Sequence, residues 1–116
     1  MTVSVCLAAY NGAAFIAAQL QSIMDQLDGD DEVIVIDDGS VDATLEIVRS
    51  FDDPRIRIFP NERNLGVNAT FARAMALATK EVVFLSDQDD IWTPGRKDLM
   101  LAAFSDPRVD VVAGNY

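Results

Sequence analysis

The chain has 116 residues, half of them hydrophobic, with nine basic and nineteen acidic side chains and a formal charge of −10. That is enough for one core but not for two domains, and the acidic surface repels phosphate backbones, which argues against nucleic acid as a partner. The absence of histidine excludes Ser-His-Asp and Cys-His catalysis and histidine-ligated zinc within this chain. The single cysteine, Cys6, lies in an apolar run, has no internal disulfide partner and reads as a small core residue. It fits a reducing, cytoplasmic setting, with the full-length protein at most peripheral to the inner face of a membrane. No apolar run reaches the roughly 18 residues of a span.

Taken in order, "VSVCLAA" (Val3 to Ala9) is a strand broken by "YNG". Phe15, Ile16, Leu20, Ile23, Met24 and Leu27 recur at helical spacing, which predicts a helix over 13–27. "EVIVID" is a buried-type strand ending at Asp37, and Ser40 is placed to cap a helix whose inner face is Leu45, Val48 and Phe51. "IRIF" is a short strand, "PNERNLG" an extended polar loop, and Val67, Phe71 and Met75 form the inner stripe of a third helix. Glu81 to Ser86 is a further strand. Thr93 is expected as a cap and Pro94 as the first residue of a fourth helix, with Leu99, Leu101 and Phe104 behind them; a last strand starts at Val109.

Apolar strands alternating with helices predict an α/β fold, a mainly parallel sheet covered by helices on both faces. In such sheets ligands sit beyond the carboxyl ends of the strands. Here those ends carry "YNG", "DDGS" and "SDQDD". Carboxylates about 6 Å apart repel by about 3 kcal/mol per pair at an effective dielectric of about 20. The Asp87-x-Asp89-Asp90 cluster is therefore either a solvated loop capping the next helix or a site for a hard divalent cation. In the second reading alternate residues Asp87 and Asp89 face the ion, which holds a diphosphate. Asp37 and Asp38 are either turn chemistry or a fixed acceptor for a base N–H or ribose hydroxyl. Tyr10 either packs on the sheet edge or offers a stacking face, and Asn11 with Gly12 forms a turn. Arg63 reads as a solvated loop residue, Asn68 as a helix cap or a ligand contact, and Trp92 as a core or lid-packing residue.

Together, "VSVCLAAYNG", "VIVIDDGSVDAT", "NLGVN" and "FLSDQDDIWTPGRK" resemble the nucleotide-binding half of a GT-A-type, Rossmann-like glycosyltransferase of the large inverting family 2. "LSDQDDIW" is similar to its rhamnosyltransferase-like branch. The resemblance covers essentially the whole chain and implies transfer of a sugar from a nucleotide-diphosphate donor to a hydroxyl of a saccharide or lipid-linked acceptor, in bacterial polysaccharide biosynthesis. It implies donor contacts at Ala8, Tyr10, Asn11, Asp38, Asn68, Asp87 and Gln88, and a divalent Mn or Mg ion at Asp87 and Asp89. The family takes its general base from an acceptor half downstream of the acidic cluster. Residues 1–116 are thus expected to form the donor half, truncated before the acceptor half, with the base downstream of Tyr116. The alternative is a non-catalytic nucleotide-binding or interaction module of the same fold. A response-regulator receiver fits poorly because the Asp-Asp pair follows the second strand and no lysine ends the last one. A nucleotidyltransferase fits poorly because "AAYNGAAF" lacks a glycine- and arginine-rich phosphate loop.

Overall fold

The computed structural model describes residues 2–87, 91–104 and 111–113. Nine elements follow in the order β1 (Val3–Ala9), α1 (Ile16–Met24), β2 (Glu32–Asp37), α2 (Thr44–Arg49), β3 (Ile56–Pro60), α3 (Val67–Leu77), β4 (Val82–Asp87), α4 (Arg96–Phe104) and β5 (Val111–Ala113). The sheet is five-stranded in the order β3-β2-β1-β4-β5, and every pairing is parallel, as the alternating pattern predicts.

The most apolar strands take the centre. β1, flanked by β2 and β4, is buried along almost its whole length, and β2 along all of it. Because side chains alternate across a strand, the odd residues of β1 and β2 face one layer and the even residues the other. Val3, Val5, Leu7, Val33 and Val35 join Val82 and Phe84 under α1, α2 and α4. Cys6, Ile34 and Ile36 form a smaller cluster with Ala74 of α3, closed by Phe59, Phe71, Val83 and Leu85. Burial, and secondarily the charge of Glu32, push the Cys6 thiol up to about 12, so it is an inert core residue. Trp92 is also core, 3% exposed with its ring 6.1 Å from that of Phe84.

Several local expectations are corrected. α1 is shorter than 13–27: the Gly12 carbonyl accepts from Phe15 and Ile16 in an entry turn, and i→i+3 bonds at Gln26 and Leu27 tighten the exit. Phe15 is 56% exposed, and the buried face starts at Ile16. On α3 the inner residues are Thr70 and Ala74, whereas Val67 and Met75 are exposed. Small residues let that helix lie close to the sheet. α4 begins at Arg96, two residues after Pro94, with the Thr93 carbonyl accepting the Arg96 N–H at 3.1 Å. Leu99 points outward at 71% exposure, and Met100 is buried in its place. β4 runs one residue later than expected, through Asp87.

The amino end of the sheet is held by ion pairs on the buried carboxylates of Glu32 and Asp31. Glu32, in β2, accepts from Ser4 at 2.6 Å, from Thr79 N–H at 2.8 Å and from Arg57 at 3.0 Å. Lys97, 6% exposed, reaches Asp31 at 2.7 Å and Asp28 at 3.0 Å, while Asp31 also accepts the Val3 N–H. The segment leading to Lys97 is laced to α1: Trp92 N–H donates to the Ser22 hydroxyl at 2.9 Å, and the Gln26 amide donates to the Thr93 carbonyl at 2.7 Å.

Candidate donor-binding site

The chain reverses its winding at β1. From β1 it crosses to β2 and β3 on one side, then returns to β4 and β5 on the other. The crevice of an open parallel sheet lies at that reversal, beyond the carboxyl ends of the two strands flanking it. In register there, Ala8 lies beside Asp87 of β4 and Ala9 beside Asp37 of β2. The sequence-predicted residues Ala8, Tyr10, Asp38 and Asp87 are thus at one end of three adjacent strands. Gln88, Asp89 and Asp90 lie outside the described residues.

Two carboxylates at the mouth of β2 have separate tasks. Asp37, 4% exposed, accepts the Ser40 hydroxyl at 2.5 Å and the Ser40 N–H at 3.2 Å. Asp38, 5% exposed, is tied to the β3–α3 loop: its Oδ1 accepts Leu65 N–H at 2.7 Å and the Asn61 amide at 2.9 Å, and its Oδ2 accepts Gly66 N–H at 3.0 Å. Its own N–H donates to the Ala9 carbonyl at 2.7 Å. Burial pushes the Asp38 carboxyl up, but the hydrogen bonds from Leu65, Asn61 and Gly66 outweigh it and hold the group below the usual carboxylate range. An ionised carboxylate has about four acceptor positions. Leu65, Asn61 and Gly66 fill three of them, and the Thr70 side chain also hydrogen-bonds the carboxylate.

The β1–α1 and β2–α2 loops are stitched together. Asn11, in the left-handed region at φ 47°, donates its N–H to the Ser40 hydroxyl at 2.9 Å and accepts the Val41 N–H on its side-chain oxygen at 2.9 Å. Gly12 N–H donates to the Thr44 hydroxyl at 2.8 Å, and Ala13 N–H to Asp42 at 3.2 Å. Ser40 is therefore not the cap of α2, which has Ala43 at its N-cap; its hydroxyl is used between the loops. Gly39, at φ +78°, passes so close to the next loop that an added Cβ would lie 2.9 Å from the Asn64 nitrogen.

Tyr10 is 44% exposed at the mouth of the crevice. Asn68 is the second residue of α3, exposed, and behind the N-cap Gly66, so the capping alternative does not hold. Arg63 is exposed, as expected of a loop residue. Sequence reading missed Asn61, Leu65 and Gly66 as partners of Asp38, and the fully buried Gln19, whose amide donates to Ser86 at 3.2 Å beneath the crevice. A buried glutamine in a helix facing a strand-end serine was the available signal.

For a divalent ion the donor set is chemically suitable, since carboxylate oxygens bind hard cations. The loops 10–15, 38–43 and 61–66 around the crevice carry one basic residue, Arg63, against Asp38, Asp42 and Glu62. A diphosphate placed there finds almost no neutralising charge from those loops, which fits a bridging metal. Among the described residues no group of three or more metal-ligating side chains stands together.

A parallel sheet in this strand order, with helices on both faces and polar residues at the reversal point, defines a doubly wound α/β fold. Residues 4–116 match the sequence model of glycosyl transferase family 2, and the chain belongs to that family. It is 29% identical to UDP-Glc:alpha-D-GlcNAc-diphosphoundecaprenol beta-1,3-glucosyltransferase WfgD of Escherichia coli, over 98% of this chain and 45% of that protein. It is 37% identical to dTDP-rhamnosyl transferase RfbG of Shigella flexneri, over 74% of this chain and 32% of that one. Its fold matches mannosyltransferase PcManGT of Pyrobaculum calidifontis in complex with GDP-Man and Mn2+, with TM-score 0.84, 27% identity, and coverage of 92% of this chain and 33% of that one. It also matches S. aureus TarS in complex with UDP-GlcNAc, with TM-score 0.81, 31% identity, and coverage of 92% and 32%. The chain thus spans less than half the length of these relatives.

Proposed function

We propose that this chain forms the donor-binding part of an inverting, metal-dependent glycosyltransferase that moves a sugar from a nucleoside diphosphate to a hydroxyl of a saccharide or lipid-linked acceptor. The observation that carries the reading is the register at the reversal point, which sets Ala8 beside Asp87 and Ala9 beside Asp37. The nucleotide sugars named with TarS and PcManGT support it.

In this reading the Tyr10 ring stacks on the base beside the Ala8 backbone. Asp38 accepts a base N–H; because it is ionised and offers no proton, it favours bases that present an N–H there. Asp87 would lie near the ribose and sugar, with Asn68 and Gln88 as further donor contacts. Asp87 and Asp89 would hold Mn or Mg, which when bound supplies positive charge against the departing diphosphate. The acceptor hydroxyl attacks from the face opposite the leaving group, and the base that takes its proton belongs to the acceptor-binding part of the full-length protein.

Calorimetric titration with UDP, dTDP and GDP, with and without Mn2+, tests this on the wild type and on Asp89→Ala. Binding that requires the metal and is lost in the variant is expected. Binding indifferent to both would overturn the metal role, and no binding by this chain or the full-length protein would overturn the donor site.

A further inference from the structure

Asn11 stands beside Tyr10 at the crevice, exposed, yet its side-chain oxygen is bonded to the neighbouring loop. Its oxygen accepts the Val41 N–H at 2.9 Å and its backbone N–H donates to Ser40 at 2.9 Å. Ser40 passes the link on by donating to Asp37 at 2.5 Å. Asp37 is paired in register with Ala9. The path from Ala9 through Tyr10 and Asn11 to Ser40, Asp37 and back to Ala9 is a closed ring. Tyr10 lies in that ring between Ala9 and Asn11. Asn11 adopts φ 47°, a conformation that asparagine and glycine tolerate better than other residues.

We infer that Asn11 is a positioning residue: through Ser40 and Val41 it locks the β1–α1 loop to the β2–α2 loop and so sets the Tyr10 ring for the nucleobase, without touching the donor itself. This rests on the donor-site reading above. The three parts of the device depend on one another. The left-handed turn aims the Asn11 N–H at Ser40; the Ser40 hydroxyl, committed as a donor to Asp37, presents a lone pair to that N–H; and the Asn11 side chain returns across the same gap to Val41. What it supplies is pre-organisation: an aromatic platform held in place before binding loses less freedom when the base arrives.

Asn11→Gly keeps the backbone conformation and deletes the acceptor, whereas Asn11→Asp keeps an acceptor oxygen and the shape. Amide hydrogen exchange by NMR and calorimetric nucleotide affinity are measured on both variants and the wild type. In Asn11→Gly the Val41 amide should exchange about tenfold faster and nucleotide binding should weaken about fivefold, the order expected for one lost hydrogen bond; Asn11→Asp should restore both. A direct donor contact through the Asn11 amide predicts the opposite for Asn11→Asp, because the new charge repels a diphosphate, and that result overturns the inference. Unchanged affinity in Asn11→Gly, despite faster exchange, also overturns it. If the wild type, as this chain and at full length, binds no nucleotide at all, the donor-site reading itself falls and takes this role with it.

Discussion

Asp38 and Gly66 are joined across the mouth of the crevice by a 3.0 Å hydrogen bond from the Gly66 N–H to the carboxylate, and Leu65 donates to the other oxygen at 2.7 Å. An amide in that position has one acceptor atom and one donor atom. In Asp38→Asn the NH2 group must therefore face either Gly66 N–H or the Leu65 and Asn61 donors. The expected cost is about 1–3 kcal/mol of stability, the range for orphaning a buried donor. Urea unfolding of the variant measures it. A loss below a few tenths would mean that the loop does not depend on Asp38.

Gly39 brings the β2–α2 loop against residues 63 and 64. An alanine Cβ would meet the Asn64 nitrogen at 2.9 Å and the Arg63 carbonyl carbon at 3.0 Å, both backbone atoms, at a φ of +78°. Neither neighbour can swing aside as a flexible side chain can, so Gly39→Ala must shift the β3–α3 loop that Asp38 holds. A destabilisation of about 1–2 kcal/mol or more is expected from the left-handed backbone alone. Thermal unfolding of this variant next to Gly29→Ala, where a Cβ meets nothing within 4 Å, isolates the effect; equal melting temperatures would contradict it.

Among the described residues, Lys97 is the cation paired directly with the buried Asp31, whose side chain is 2% exposed, at 2.7 Å. Lys97→Met leaves that carboxylate with the Val3 and Asp28 N–H groups but no cation paired directly with it. Breaking a buried pair from one side costs about 3–5 kcal/mol. The double variant Lys97→Met, Asp31→Asn removes both charges and should recover much of the loss, which a denaturant-based mutant cycle would read out. Additive losses would mean that the pair does not interact.

The layers of this fold were legible in the sequence because the signals are local. Val3 to Ala9 and Glu32 to Asp37 are apolar on both faces, as central parallel strands must be, and polar residues collect at their carboxyl ends. The same locality explains the failures. Ser40 has the composition of a cap, but its partners are Asp37 and, 29 residues away, Asn11. Lys97 sits in a polar stretch of the sequence, and the carboxylates it pairs with lie 66 and 69 positions earlier. Periodicity placed Val67 and Met75 inward, whereas the narrow gap over Cys6 selects Ala74. Which neighbour a side chain meets is fixed by the winding of the sheet, and no window of sequence contains it.

The titrating groups define a broad plateau of stability against pH. Burial raises Asp31, Glu32 and Asp38, but hydrogen bonds outweigh it: from Lys97 and backbone N–H groups at Asp31, from Ser4 and Thr79 at Glu32, and from Leu65, Asn61 and Gly66 at Asp38. All three sit below their ordinary values. Groups lowered by folding stabilise fully above their unfolded pKa, so this contribution is present above about pH 4–5 and is lost as pH falls through the folded values. Lys97 is the reverse case: burial lowers it, Asp31 and Asp28 outweigh burial, and its pKa is raised. Its contribution is complete below about pH 10 and disappears as pH rises beyond that. The chain has no histidine and Cys6 is pushed up to about 12, so neither an imidazole nor the thiol titrates in between. Melting temperature should be nearly level from about pH 5 to 10 and fall on both sides. A drop centred near neutrality would show that these carboxylates and Lys97 do not govern the pH response.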